Sequence, residues 1–295
     1  MTGSRSQDLV FTLYGDYLLG RDGPVWVGSL ITLLGSLGVS PVATRTVLSR
    51  MTHKGWLTAE RRGSRGYYGL TKRGRRLLET GRERIYHPPR HESWDGRWYL
   101  VAYSIPESGR HRRDALRVKL QWLGCGLLAN GLWITPHDVR PELEDIAASL
   151  KVSKHLEIFH AEHLGYASTG QLVAECWDLA AINRRYAAFL DRWAPTLTHC
   201  AACRRAGAGA TAGRPGEPCL PPQDCFVRRF ELVHQYRAFP QEDPFLPAPL
   251  LPADWKGDEA ARVFETCHAV LAEPAERYVT QICEAGDAAD AAPAA

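Results

Sequence analysis

The stretch "SPVATRTVLSRMTHKGWLTAERRGSRGYYGLT", residues 40–71, decides the fold. Ser40 suits a helix N-cap, because its hydroxyl can accept from a backbone N–H that the first turn leaves unpaired. Pro41 suits the first helical position, where a missing N–H costs nothing. The spacing predicts a helix to about Lys54, ended by Gly55. Thr44, Val47, Leu48 and Met51 fall near one face and are expected to pack inward. Arg45, Thr46, Ser49 and Arg50 lie largely outward. "WLTAERRG" and "YYGLT" then read as two short strands joined by "GSRG". That hairpin gathers Arg61, Arg62, Ser64 and Arg65 around a tight turn, which Gly63 and Gly66 permit.

Upstream, "LVFTLYGDYLL" (9–19) carries apolar residues at helical spacing and is broken by "GRDGP". "VWVGSLITLLGSLG" (25–38) reads as a second apolar helix capped by Gly38. Two helices joined by a short Gly-containing turn form a helix-turn-helix, and a basic hairpin after it is the order of a winged helix. A helix in the major groove leaves the flanking phosphates within reach of such a hairpin. The candidate DNA contacts are therefore Ser40, Thr44, Arg45, Thr46, Ser49 and Arg50 on the helix, with Arg61, Arg62, Ser64 and Arg65 on the wing. Tyr67 and Tyr68 are expected to brace the hairpin against the core. The helix "KRGRRLLETGRERIYH" closes a module over 1–86, and "HPPRHESWDG" (87–96) reads as a linker.

Charge follows the same division. Residues 1–90 carry 15 Lys and Arg against 6 Asp and Glu, whereas the rest of the 295-residue chain is acidic. A basic module facing a polyanion beside an acidic body is the expected partition. The apolar runs are short and interrupted, so no membrane span is expected, and the N-terminus lacks a secretory signal. Eight cysteines in a chain of this length do not make a disulfide scaffold. A cytoplasmic protein with reduced thiols is the expectation.

The middle third reads strand "RWYLVAYSIP" (97–106), helix "HRRDALRVKLQWLG" (111–124), a hairpin "GLLANGLWITP" (126–136), helix "PELEDIAASL" (141–150) and strand "HLEIFHAEHLG" (155–165). This βαββαβ order is ferredoxin-like over 97–170 and suits dimerisation or arrangement of DNA-binding heads. A metal-dependent nuclease is the competing use of such a domain. Small CRISPR-associated nucleases of this fold place a metal-binding Asp at the end of the first strand. Here that stretch, "VAYSIPE", has Ser104, a poor ligand for Mg²⁺.

The last third, 171–285, reads as a mostly helical domain. Its segments are "LVAECWDLAAINRRYAAFLDRWAPTL" (172–197), "FVRRFELVHQYRAFPQEDP" (226–244) and a final helical pair over 258–279. An Ala-rich tail (286–295) is expected to fray. Between the first two lies a Cys/Gly/Pro-rich stretch (198–225), read as an exposed insertion. Cys200, Cys203, Cys219 and Cys225 in it give a zinc-knuckle alternative, though five residues rather than two to four separate the second pair. There is no Ser-His-Asp set, Walker loop or dinucleotide fingerprint, so no enzyme activity and no cofactor are expected. His111, His155, His160 and His163 read as structural or surface residues.

Three segments carry a resemblance. "GDYLL...PVWVGSLITLLGSLGVSPVATRTVLSRMTHKGWLTAERRGSRGYYGLTKRGRR" resembles the DNA-binding segment of PaaX-type repressors of phenylacetate degradation. "WDGRWYLVAYSIPESGRHRRDALRVKLQWLGCGLLANGLWITP" resembles their middle domain, and "FELVHQYRAFPQEDPFLPAPLLPADWKG" their C-terminal domain. The resemblance implies a homodimeric repressor that binds an inverted-repeat operator and is released by an aryl-CoA thioester such as phenylacetyl-CoA. Another acyl-CoA, a partner protein or thiol chemistry in the Cys-rich stretch are the alternative controls. A CoA ligand needs aromatic lining and cations. Trp177, Arg184, Arg185, Tyr186 and Trp193 on one segment, and His234, Tyr236 and Arg237 on another, are the candidates; core aromatics and surface arginines are the competing reading.

Overall fold

The computed structural model describes residues 2–88, 93–205 and 220–291. The chain opens with α1 (Thr2–Leu13), which widens into a π-turn over Tyr14–Leu18. Next come β1 (Val25–Trp26), α2 (Val27–Gly35), α3 (Pro41–His53), β2 (Leu57–Arg62), β3 (Arg65–Leu70) and α4 (Lys72–Tyr86). The central segment gives β4 (Arg97–Tyr103), α5 (Arg110–Trp122), β5 (Gly126–Ala129), β6 (Leu132–Thr135), α6 (Arg140–Leu150) and β7 (Leu156–Glu162). The rest is α7 (Thr169–Cys176), α8 (Leu179–Arg205), α9 (Pro222–Tyr236), α10 (Phe239–Glu242) and α11 (Gly257–Ala291). No described helix is long and apolar enough to cross a membrane.

Several boundaries differ from the sequence reading, each for a local reason. Val25 and Trp26 are not helical: they form a short strand paired antiparallel with Tyr68 and Tyr67 of β3. The expected helix over 172–197 is two helices, broken at Trp177, whose extended backbone ends α7. Residues 198–205 continue α8 rather than opening a loop. The expected final pair is one helix of 35 residues with Pro274 inside it, and it runs on through Gly286 to Ala291. Residues 206–219, including Cys219, lie outside the described residues.

The chain divides into two compact units. The first holds Met1–His87, Phe189–Arg237 and Glu259–Ala295; the second holds Pro88–Ala188 and Ala238–Asp258. The segment expected as one C-terminal domain (171–285) is thus shared between them.

In the first unit, α1, α2 and α3 bury Leu13, Leu30, Leu33, Leu34, Leu48 and Met51 in a core completed by Phe226 and Phe230 of α9 and by Leu271, Ala275, Val279 and Cys283 of α11. The sheet has the order β1-β3-β2. Tyr67 is buried beneath it, and the Tyr14 hydroxyl donates to the Tyr68 carbonyl at 3.0 Å. In the second unit a four-stranded antiparallel sheet has the order β5-β6-β4-β7, the arrangement that a βαββαβ chain of ferredoxin-like plan gives. Strand alternation sends Val101 and Trp133 toward Leu116, Leu120 and Leu143 of α5 and α6. It sends Trp98, Leu100 and Ile134 to the opposite face, against Leu172, Val173, Leu246 and Leu250.

Gly74 shows how tightly α4 docks. A Cβ there would lie 2.2 Å from the Trp56 carbonyl oxygen, which also accepts from the Thr71 side chain. Helix propensity favours alanine over glycine by about 1 kcal/mol. The clash reverses that sign, and Gly74→Ala is expected to destabilise the fold by about 1–3 kcal/mol in urea unfolding.

Candidate nucleic-acid interface

Helix α3 starts as expected: Ser40 is extended, and its hydroxyl accepts from the Ala43 N–H at 3.2 Å. Thr44, Val47, Leu48 and Met51 are buried. Arg45, Thr46, Ser49 and Arg50 are exposed. Thr44 is the correction to the candidate set. It is fully buried and fills the α3 core face, so it presents no hydroxyl at the surface. Thr46 is exposed, but its hydroxyl already donates to the Val42 carbonyl at 2.8 Å, leaving the oxygen to accept. Two residues of the same face were missed. Val42 is 73% exposed and His53 is exposed, and both continue the three- and four-residue spacing of Arg45, Thr46, Ser49 and Arg50. The same periodicity that identified the others would have found them.

The hairpin pairs Leu57 with Leu70 and Arg62 with Arg65, and turns at Gly63, whose φ of 56° favours glycine. Its four candidates differ in what they touch. Arg61 and Ser64 are exposed. Arg62 pairs with Glu60 at 2.5 Å and lies over the Tyr67 ring. Arg65 is turned away from the tip: its guanidinium sits over the Trp26 ring, and Nη1 donates to the Gly286 carbonyl at 3.1 Å.

The residues considered for an effector fall into the two units. In the second, Trp177 donates to the Gly124 carbonyl at 3.0 Å, and buried Tyr186 donates to Asp243 at 2.8 Å and stacks on Phe239. Arg185 pairs with Glu242, and Arg184 is exposed. Burial pushes the Asp243 carboxyl up, against the hydrogen bonds from Phe245 and Tyr186. In the first unit, buried Trp193 donates to Gln235 at 2.9 Å, and Tyr236 stacks on Phe264. His234 Nδ1 lies 2.9 Å from the Thr12 hydroxyl, and Arg237 pairs with Asp8 at 3.3 Å. Tyr186, Trp193 and Tyr236 are thus buried core residues, and half-buried Trp177 packs against the core, each with partners inside its own unit. Cys225 is buried in the first unit's core beside the Leu220 carbonyl. Among the described residues no group of three His, Cys, Asp or Glu is placed to hold a metal ion. Ser104 is exposed just past β4, its N–H donating to the His155 carbonyl at 2.9 Å.

Behind the helix and hairpin lies a buried ionic network. The π-turn after α1 places Asp16 inward, with its side chain 3% exposed. Asp16 Oδ1 accepts from the Tyr86 hydroxyl of α4 at 2.7 Å and lies 3.1 Å from His268 Nε2 of α11. Arg229 of α9, 4% exposed, lies 3.5 Å from Asp16 and 3.3 Å from Glu276, with its guanidinium over Tyr17. Burial acts to raise the Asp16 carboxyl. The His268 hydrogen bond, the Arg229 charge and the Tyr86 hydrogen bond outweigh it, so the group is held below the ordinary carboxylate range. Burial likewise acts to lower Arg229, but Asp16 and its other neighbours hold it charged.

Three family profiles match the chain in succession: "PaaX-like protein" over residues 5–74, "PaaX protein central Cas2-like domain" over 91–173, and "PaaX-like protein C-terminal domain" over 177–281. A curated relative, the transcriptional repressor PaaX of Escherichia coli strain K12, is 30% identical over 278 residues, covering 92% of this chain and 82% of its own. A solved structure, an uncharacterized protein of Mycobacterium tuberculosis, aligns with a TM-score of 0.57 at 22% identity, covering 91% of this chain and 97% of its own. At that identity it speaks for the fold alone.

The buried network makes its own prediction. Asp16→Asn leaves Arg229 charged and poorly compensated, and is expected to cost about 3–5 kcal/mol at neutral pH. A depressed folded pKa stabilises above the unfolded value and is lost as pH falls through the folded one. The gap between variant and wild type should therefore narrow below about pH 4, as read by urea unfolding across a pH series.

Proposed function

Because the chain belongs to the PaaX family, we propose that it is a DNA-binding transcriptional repressor of an aromatic-catabolism operon. Its head works as a winged helix. Helix α3 enters the major groove and the β2–β3 hairpin follows the flanking backbone. The observation that carries this reading is the outward face of α3, where Arg45, Thr46, Ser49 and Arg50 stand exposed above a buried Thr44, Val47, Leu48 and Met51. An arginine there can reach guanine O6 and N7, and exposed Val42 can meet a thymine methyl. Arg61, exposed on the hairpin, is the wing's phosphate contact.

The protein acts in the cytoplasm as a homodimer on an inverted repeat. Two recognition helices related by a dyad require half-sites separated by whole helical turns. The inducer is an aryl-CoA thioester such as phenylacetyl-CoA, a choice that rests on the family resemblance. Such a ligand releases DNA only by binding the non-operator arrangement more tightly. The reading is of a regulator rather than an enzyme.

Fluorescence anisotropy on a duplex from upstream of the gene tests the reading. Phenylacetyl-CoA is titrated in, with phenylacetate and free CoA as controls. Binding reversed only by the thioester is the expected result; binding that no thioester reverses would move the search to another inducer. Arg61→Ala should weaken binding across sequences and reduce the salt slope by about 0.9, one phosphate's worth. Arg62→Ala should reduce it less, because Glu60 already pairs with Arg62. Arg45→Ala should instead change which duplex is preferred.

A further inference from the structure

The last turns of α11 lie along the head in a regular stripe. The Tyr278 hydroxyl is 3.0 Å from Ser36 Oγ, and the Ile282 carbonyl accepts from Ser29 Oγ at 3.0 Å. The Gly286 carbonyl accepts from Arg65 at 3.1 Å, and Asp287 pairs with Arg21. Positions 278, 282 and 286 are four residues apart, so they share one face of the helix. The approach at Gly286 is close: a Cβ there would lie 2.6 Å from Ser29 Oγ and 2.9 Å from Trp26 Cε3. Trp26 itself pairs with Tyr67 of the hairpin and lies under the Arg65 guanidinium. Backbone, ring and guanidinium therefore meet at one point, where the hairpin joins a helix 221 residues away in sequence.

We infer that Arg65 is a positioning residue for DNA binding: it acts through Gly286 and Trp26 to fix the hairpin's angle against α11, and it is not a phosphate contact. The side chain that sequence alone assigns to the wing's anion-binding set is spent on the protein itself. Arg61, with no ion pair among the described residues, is left to meet the backbone of the duplex. The angle at which it does so is set by where Gly286 of α11 lies. This inference rests on the DNA-binding reading above.

The test uses the full chain, a labelled duplex from upstream of the gene, and affinity measured across a salt series. Arg65→Ala and Gly286→Ala are compared with Arg61→Ala. Gly286→Ala changes no charge and adds only the methyl that would push α11 off Trp26. Both Arg65→Ala and Gly286→Ala should weaken binding about tenfold, the scale of one charge-assisted hydrogen bond, and the double variant should be no weaker than either. Neither should change the salt slope. A slope reduced by about 0.9 in Arg65→Ala with normal binding by Gly286→Ala would make Arg65 a phosphate contact and overturn the inference. So would wild-type affinity in both. Should Arg65→Ala not fold, Arg65→Lys separates the two roles. A lysine keeps the charge but not the fork, so it loses affinity under the positioning role and keeps it under the phosphate role. Amide hydrogen exchange in the hairpin is read without DNA. It should quicken in Arg65→Ala and Gly286→Ala even if wild type binds no duplex, which would sink the DNA-binding reading alone; unchanged exchange would sink the tether.

Discussion

A buried carboxylate and a buried guanidinium hold the first unit together. Asp16 enters the interior because a π-turn displaces one residue from the regular helical face of α1, and Arg229 reaches it from α9. Neither charge tolerates the interior alone, since desolvating an ion costs several kcal/mol. Tyr86 and His268 add α4 and α11 to the same centre. Four elements from both ends of the sequence are thereby fixed to one point. The apolar core, in which Leu30, Leu33 and Leu48 meet Phe226, Phe230 and Val279, closes around it.

Hydrophobic contacts alone would allow these helices to slide with modest penalty, because burial is roughly proportional to area and carries little direction. Charge-assisted hydrogen bonds impose geometry. The same division of labour recurs at the end of α11. There the core residues Val279 and Cys283 supply burial, while Ser29, Ser36 and Arg65 supply register. In the second unit the sheet does this work: the ladders of β4 with β6 and β7 fix register, and the two faces bury different sets of side chains.

What could be read in advance follows from range. The α3 face, its Ser40 cap, the basic hairpin and the βαββαβ order are written in periods of two and 3.6 and in turn residues only a few positions apart. Strand β1 was hidden because two residues cannot show a period, and Val25 and Trp26 look like the start of the apolar helix that follows. Residues 258–279 read as a helical pair, whereas packing along α11 keeps one helix with Pro274 inside it. Arg65 reads as part of the basic hairpin, and its hydrogen bond to the Gly286 carbonyl is not legible there, because Gly286 sits in a tail whose composition suggests fraying. Thr44 went to both the core and the contact set; its burial decides for the core. The effector candidates were chosen by residue type. Type cannot tell a ligand-facing tyrosine from one like Tyr186, which already stacks on Phe239.

The shared core has an evolutionary consequence. A domain with a core of its own can fold unaided and be exchanged at its linker. Here Leu13, Leu30 and Leu48 are sealed by helices encoded some two hundred residues downstream. A crossover after His87 would sever these N-terminal helices from the part of their core that α9 and α11 supply. The exposed face of α3 can change by substitution, but the helices that carry it cannot be exchanged alone, and the two ends of the gene must be inherited together.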